Sequence, residues 1–460
     1  MARGGSSCLP VSIIRVTLLF TAFAGGLVSP AASQSPSPLP GPTPNQTKAA
    51  AAVRRSAKCQ HPADPLRRHA ECIDEDFDLD ETLAGAWNGI RLRMREVGIT
   101  PTMSYTGALQ TNPSGGPHQV WSYAGQLGMG FFFDLRRVLK VPGMSAYVGA
   151  SWGTGSDLTG FLDSSIPNNG LYAPGFFLGE MYLQQTFSEK KVTLVGGRLA
   201  PSNSFAVLPV FANYVNYGIN PNPYSLGAND ISFFGPPTGT EWGLQATYNV
   251  NSEIQVAAGA FNTNKNSANG EGHGTDFVLQ EGNKGALVIG EIDYLRNQKS
   301  TDTGKPGQYA IGVLHNNNSF PTLPDGQAQS NSYSGVYVMG QQMIYRPFAP
   351  GTAQGLTAWG TYTFNSKPLV NPMPAVLGTG LSYEGLIAAR SKDVVSAGWI
   401  YGKVSKVIPD TSAEQLVEVN YQWRHSRYLI ITPQFQYIWK PSGRNLPDAA
   451  VAGVQLALTF

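Results

Sequence analysis

The chain has 460 residues, with 32 Lys plus Arg against 30 Asp plus Glu, a formal net charge of +2, and only 13% charged residues. Basic residues are scattered, which excludes an electrostatic nucleic-acid binder, and the charge content is about half that of a soluble protein. Aromatics reach 11% while mean hydropathy is −0.15, and past the N-terminus no run of about 18–20 uncharged apolar residues could make a spanning helix. A spanning strand with lipid on one face and water on the other has this near-neutral average.

Residues 1–33 read as a secretory signal. Arg3 and Arg15 supply positive charge, Val16 to Val28 an apolar core, and Ala31-Ala32-Ser33 small residues for cleavage near Gln34. Residues 34–80 begin with a Pro- and Ser-rich linker, QSPSPLPGPTPNQT, and continue into a segment holding Cys59 and Cys72. In an exported chain that pair predicts a disulfide. Its spacing fits no zinc pattern, and no metal or other cofactor is expected. The acidic run Asp74 to Glu81 lacks the glycine of a calcium loop and reads as solvated charge.

Over 81–98 the apolar positions Leu83, Trp87, Ile90, Met94 and Val97 recur at spacings of three and four, with Arg91, Arg93 and Arg95 off the stripe. That spacing predicts an amphipathic helix. After Gly98 the period changes to two. Leu127, Met129, Phe131, Phe133 and Leu135 share one face, as do Trp242, Leu244, Ala246 and Tyr248. Val417, Val419, Tyr421 and Trp423 oppose Glu418, Asn420, Gln422 and Arg424.

Such segments begin near 99, 122, 144, 178, 191, 241, 252, 285, 307, 333, 354, 378, 394, 414, 428 and 449. An even count suits a single-chain barrel. The fold class predicted is all-β: an antiparallel transmembrane β-barrel of about 16 strands over residues 99–460, in a bacterial outer membrane. A soluble propeller would also alternate, but no repeat of propeller length is present. Short links such as Asn251-Ser252 read as periplasmic turns, and 155–177, 201–240 and 264–284 as outer loops. The last strand sets Ala452, Val454, Leu456, Leu458 and Phe460 toward lipid and lipopolysaccharide, against Gln455 and Thr459. That ending also looks like the recognition signal read by the outer-membrane barrel assembly machinery.

The inward parity collects Glu180, Gln184, Glu241, Gln245, Glu384, Glu418, Gln422, Arg424 and Gln434. Mixed charge with many amides suits neutral, hydroxyl-rich solutes better than one ion class. Segment 201–238, rich in Asn and aromatics, is the candidate constriction, with Asn213, Tyr214, Tyr217 and Asp230. A rigidly packed outer loop is the equal alternative. Arg198, at its start, has ambiguous parity because Val192, Leu194 and Val195 do not alternate. Gly149-Ala150-Ser151-Trp152-Gly153 matches a nucleophile elbow, but no helix follows it.

Several stretches in order resemble the carbohydrate-selective porins of the OprB type: GITPTMSYTGALQTNP (98–113), VWSYAGQLGMGFFFDLR (120–136), PGMSAY (142–147), LGEMYLQQTFSEKKVTLVGGRLAPSNSFA (178–206), GTEWGLQATYNVNSEIQVAAGAFN (239–262) and YLIITPQFQYIWKPSGRNLPDAAVAGVQLALTF (428–460). The resemblance covers most of 85–460. It implies a monomeric sixteen-stranded pore with an N-terminal helical segment and passive uptake of sugars. It implies eyelet roles for Glu180, in the Glu-aromatic-Leu strand, and Arg198, in the Gly-Gly-Arg strand end. An outer-membrane hydrolase or a non-conducting structural barrel are the alternatives.

Overall fold

A computed structural model describes residues 82–171, 175–187, 191–228, 239–263, 274, 285–299, 301–347 and 352–460. The expected signal, the linker and the Cys59–Cys72 pair lie outside the described residues, as does Asp230.

The helix expected over 81–98 is shorter than its pattern. A 3-10 turn, Trp87–Gly89, leads into α1, Ile90–Glu96. Asn88 (φ 54°) and Gly89 (φ 86°) take left-handed backbone that a right-handed helix cannot contain. The apolar stripe does not pack inward either. Ile90 is 55% exposed, whereas Arg91, off the stripe, is 1% exposed. Its guanidinium donates to Thr82 Oγ1 at 3.0 Å and to the Pro101 carbonyl at 3.3 Å, and lies over the Trp87 ring. At this end of the barrel the helix meets carbonyl oxygens, which a guanidinium satisfies and an apolar face cannot.

Sixteen strands follow: β1 Ile99–Ser114, β2 Trp121–Asp134, β3 Met144–Gly155, β4 Gly175–Phe187, β5 Val192–Leu199, β6 Glu241–Asn249, β7 Ile254–Asn262, β8 Ala286–Arg296, β9 Gly307–Pro321, β10 Gln329–Tyr345, β11 Gly355–Asn365, β12 Ala375–Glu384, β13 Val394–Lys403, β14 Ala413–Arg424, β15 Leu429–Trp439 and β16 Ala449–Thr459. Each pairs antiparallel with its chain neighbours, and β16 closes on β1. Closure leaves no unpaired edge, which a hydrocarbon environment does not tolerate. The starts read from the alternation fall within four residues of these; the largest difference is at β10, which begins at Gln329 rather than 333.

Parity decides the two faces. On β9, Tyr309, Ile311 and Val313 are exposed outward, while Gln308, Ala310, Leu314 and Asn316 are buried inward. Gln455 and Thr459 pair with Ala108 and Ser104 on the inward side, as their spacing predicted. Turns 250–253 and 425–428 are short and lie at the end where the chain enters β1 and leaves β16. In barrels of this kind that end is periplasmic. Tyr248 and Trp423 are exposed at this end, and Trp439 at the other. They form the two aromatic girdles.

The long links 156–174 and 200–240 join strands at the opposite end. Their described parts, 156–171 and 200–228, turn into the barrel. Leu158, Leu162, Ile166, Phe205, Leu208, Phe211, Tyr214 and Leu226 are all buried there, against Tyr147, Tyr182, Phe261, Leu287, Trp359 and Ile400 of the wall. The hydrophobic core therefore sits inside the barrel. Each such side chain buried contributes about 1.5–3 kcal/mol, which a loop this apolar could not gain by facing water.

Candidate functional site

The site is the barrel interior where these two loops narrow it. Segment 200–228 is held by wall residues from β4 round to β15. Glu180 accepts from the Ala200 N–H at 3.2 Å and from Asn203 Nδ2 at 3.0 Å. Glu291 accepts from the Ala206 N–H at 2.7 Å and from the Tyr337 hydroxyl at 2.6 Å. Gln341 takes the Val210 N–H at 2.8 Å. Glu418 takes the N–H groups of Val215 and Asn216 at 2.9 and 2.7 Å. Asn216 Nδ2 then donates to Gln436 at 2.8 Å. The return leg is tied at β11, where Ser225 meets the Thr363 hydroxyl and Asn365 donates to the Ser225 carbonyl at 2.6 Å. Carboxylates accepting backbone N–H groups make the stronger, charge-assisted kind of hydrogen bond.

Loop 156–171 is clamped in the same way. Glu414 accepts from the N–H groups of Ser165 (2.8 Å) and Ile166 (3.1 Å) and from the Ser164 hydroxyl (2.6 Å). Asn168 and Asn169 both donate to Gln110. The loops touch each other where the Tyr217 N–H donates to the Pro167 carbonyl at 3.1 Å. At the mouth, burial pushes the Asp157 carboxyl above the usual carboxylate range, against the lowering effect of hydrogen bonds from Thr159 and Gly160.

The residues singled out from sequence divide into groups. Glu180, Gln184, Glu241, Gln245, Glu418, Gln422 and Gln434 all take inward parity and all are buried. For Glu180 and Glu418 the expectation of free groups on a water-filled wall does not hold. Their oxygens are taken up by loop backbone, because a loop turned inward brings N–H groups that need acceptors. Gln422 donates to the Ala212 carbonyl of the same loop.

Glu384 and Arg424 remain half-buried at the periplasmic ends of β12 and β14 and form an ion pair of 3.3 Å. Arg424 also approaches Asn213 Oδ1 at 3.5 Å. Arg198 departs from the inward set. Its register partners are Met181 and Trp242, whose neighbours Tyr182 and Glu241 point inward. Its guanidinium instead meets Thr240 Oγ1 at 3.0 Å, the Gly274 carbonyl and the Phe177 ring.

Tyr214 is buried. Its hydroxyl reaches the Leu381 and Ala397 carbonyls, both at 3.0 Å, and accepts from Trp359 Nε1 at 2.8 Å. Tyr217 is buried as well, and Asn213 is half-buried.

Sequence reasoning missed Glu291, Glu414 and the inward course of 156–171. Acids two or four positions apart on the inward parity, Glu291 with Asp293 on β8 and Glu414 with Glu418 on β14, were the available signal for the first two. Ser151, of the elbow-like motif, lies mid-strand with β3 running on to Gly155, so the sharp turn that presents a nucleophile is not formed.

Inward positions that solvent still reaches include Thr102 and Thr106 of β1, Gln455 and Ala457 of β16, and the Arg424–Glu384 pair. All lie in the periplasmic half of the barrel, the first group on the adjacent strands β1 and β16 and the ion pair on β12 and β14.

A closed sixteen-stranded barrel with a polar inner strip and loops folded into it is an outer-membrane channel of the porin class. The chain belongs to the OprB family of carbohydrate-selective porins, whose family model matches residues 118–460. It is 23% identical to a putative porin, QuiX, of Acinetobacter baylyi, over 82% of this chain and 93% of that one. It is similar in fold to the high-pH structure of Pseudomonas putida OprB, with a TM-score of 0.76, 20% identity, and coverage of 84% of this chain and 100% of that one. The low-pH structure of the same protein matches with a TM-score of 0.54, at 19% identity over 83% and 98% of the two chains. Fold and family point to a channel rather than an enzyme.

Proposed function

We propose that the chain passes small neutral sugars by diffusion through an aperture bounded by the two inward loops on one side and the β16–β1 wall on the other. The observation that carries this reading is where the charges go. Glu180, Glu291, Glu414 and Glu418 spend their oxygens on loop N–H and hydroxyl groups, and Arg424 is neutralised by Glu384. The groups left for solute on β1 and β16 are hydroxyls and amides, which both donate and accept, as sugar hydroxyls do. An aperture without a dominant charge gives an ion no compensation for its lost hydration.

In this reading Glu180 and Glu418 fix the aperture's shape, Gln422 ties the loop at the Ala212 carbonyl, and the buried amides Gln184, Gln245 and Gln434 form a polar layer behind it. Asn213 and the Arg424–Glu384 pair border the periplasmic exit. Tyr214 and Tyr217 stiffen the loop from behind. One chain completes the barrel, so a monomer suffices. The precursor is exported, cleaved near Gln34 and folded by the barrel assembly machinery through its last strand.

Liposome swelling with D-glucose and with gluconate, solutes of similar size, tests the selectivity. Glucose is expected to enter faster. Equal or faster entry of gluconate contradicts a neutral aperture.

A further inference from the structure

At the periplasmic end, α1 and the turn between β2 and β3 form one continuous surface. That turn carries a short helix, α2, Leu135–Val138. The Asp134 N–H donates to the Gly98 carbonyl at 2.8 Å, and Arg137 donates to the Arg95 carbonyl at 3.1 Å. A Cβ at Gly98 (φ 90°) would lie 2.8 Å from Arg137 Cβ and 3.2 Å from Val138 Cγ2. The glycine therefore lets the turn close on the end of α1.

This surface is both basic and apolar. It carries Arg91, Arg93, Arg95, Arg136, Arg137 and Lys140 against two acids, Glu96 and Asp134. Asp134 is shared between Arg136 at 3.6 Å and Arg137 at 3.4 Å, so one carboxylate serves two guanidinium groups. Burial, and then the nearby charge of Arg95, pull the Arg91 guanidinium down to about 10. Between the cations Leu92, Val97, Val138 and Leu139 are exposed, Leu139 at 62%.

The chain reaches this surface from a segment of the opposite charge. Residues 74–81, outside the described residues, read Asp-Glu-Asp-Phe-Asp-Leu-Asp-Glu. The next residue, Thr82, is buried at the foot of α1, where its hydroxyl accepts from Arg91 at 3.0 Å. The following N–H, of Leu83, donates to the Thr459 carbonyl at 2.9 Å. Eight residues reach at most about 28 Å from that point, and α1 is only about 10 Å long. Six carboxylates with a Phe and a Leu among them match a surface of cations with apolar side chains between them.

We propose that residues 74–81 dock on the face formed by α1 and the β2–β3 turn. Their carboxylates meet Arg93, Arg136 and Lys140, while Phe77 and Leu79 cover part of the apolar surface. The docking holds the linker and the cysteine pair against the periplasmic base of the barrel, beside β1 and β2. It does not depend on which solute the pore passes.

The test is cross-linking of the mature full-length protein with a carbodiimide, which joins a carboxylate to an amine without a spacer. Mass spectrometry is expected to find Lys140 joined to a carboxylate of 74–81 within one chain, with a yield that falls at high salt. Arg93→Gln with Arg136→Gln leaves both linked groups in place. It is expected to lower the yield about two- to thirtyfold, the range for two exposed ion pairs. Asp76→Asn, Asp78→Asn and Asp80→Asn together lie before the barrel and serve if the arginine variant does not fold. Hydrogen exchange at Leu139 and Val141 should then speed up. Links from the run to Lys140 no more frequent than to Lys191 or Lys305 of other turns overturn the proposal. A yield or exchange rate indifferent to both salt and substitution does so too. Links between two copies, seen by mixing isotopically light and heavy protein, also overturn it. Loss of the link on transfer from phosphatidylcholine to phosphatidylglycerol vesicles would assign the surface to anionic lipid instead.

Discussion

Replacing Glu418 by Ala removes the acceptor that holds the middle of the inward loop. Two N–H groups, of Val215 and Asn216, lose bonds of 2.9 and 2.7 Å in a fully buried place. Each such loss costs about 1–3 kcal/mol, so docking of this stretch weakens by about 2–6 kcal/mol. At the low end the undocked population rises about thirtyfold. The barrel is expected to survive, since the Glu180, Glu291 and Gln341 ties are untouched and the strand ladders do not pass through this side chain. Single-channel recording of Glu418→Ala should show a larger mean conductance with frequent sublevels. Hydrogen exchange at Val215 and Asn216 should accelerate by the same thirtyfold or more. Glu418→Gln, which keeps one acceptor, should fall between. A Glu418→Ala channel with wild-type conductance and wild-type exchange would refute the clamp.

Glu414→Ala should loosen loop 156–171 by a comparable about 2–6 kcal/mol, seen as faster exchange at Ser165 and Ile166 with little change at Val215. Trp359→Ala removes both the partner of the Tyr214 hydroxyl and a ring packed edge-on against Phe211. A loss of about 3–5 kcal/mol in unfolding free energy is expected from the cavity, and a loss under 1 kcal/mol would contradict the packed interior. Val338, 53% exposed and paired with Ile311 on the outer face, should cost about 2–4 kcal/mol as Val338→Arg in lipid and much less in detergent. Asp157 has its pKa raised by burial, so the docked loop binds the proton more tightly than the free loop. Docking should weaken as pH rises through the folded-state value. Asp157→Asn should flatten that dependence in exchange measurements at Leu158 and Leu162; an unchanged pH profile would remove Asp157 as its cause.

The barrel was legible because alternation is a local signal. Leu244 against Gln245, or Val419 against Glu418, declares its face within a few residues, and lipid enforces the pattern at every strand. The loops' inward course is not local. Phe205 and Phe211 read equally well as a rigid outer loop. Only the distant partners Phe261 and Trp359 show that their burial lies inside the barrel.

The same non-locality hid the role of the acids. Glu180 and Glu418 announce inward parity, but their partners lie about 20 and 200 residues away in the chain. The helix before β1 is present but shorter than its pattern, for a different reason. Its spacing was amphipathic, yet a reversal of backbone hand at Asn88 and Gly89 broke it, and the carbonyls it met favoured Arg91.

The central claim is that a neutral, loop-narrowed lumen passes sugars of limited size. Swelling of liposomes carrying the purified protein, in D-glucose and then in the trisaccharide raffinose, tests it most directly. The account predicts rapid swelling in glucose and near-baseline swelling in raffinose. Glucose entry no faster than into protein-free liposomes would contradict it.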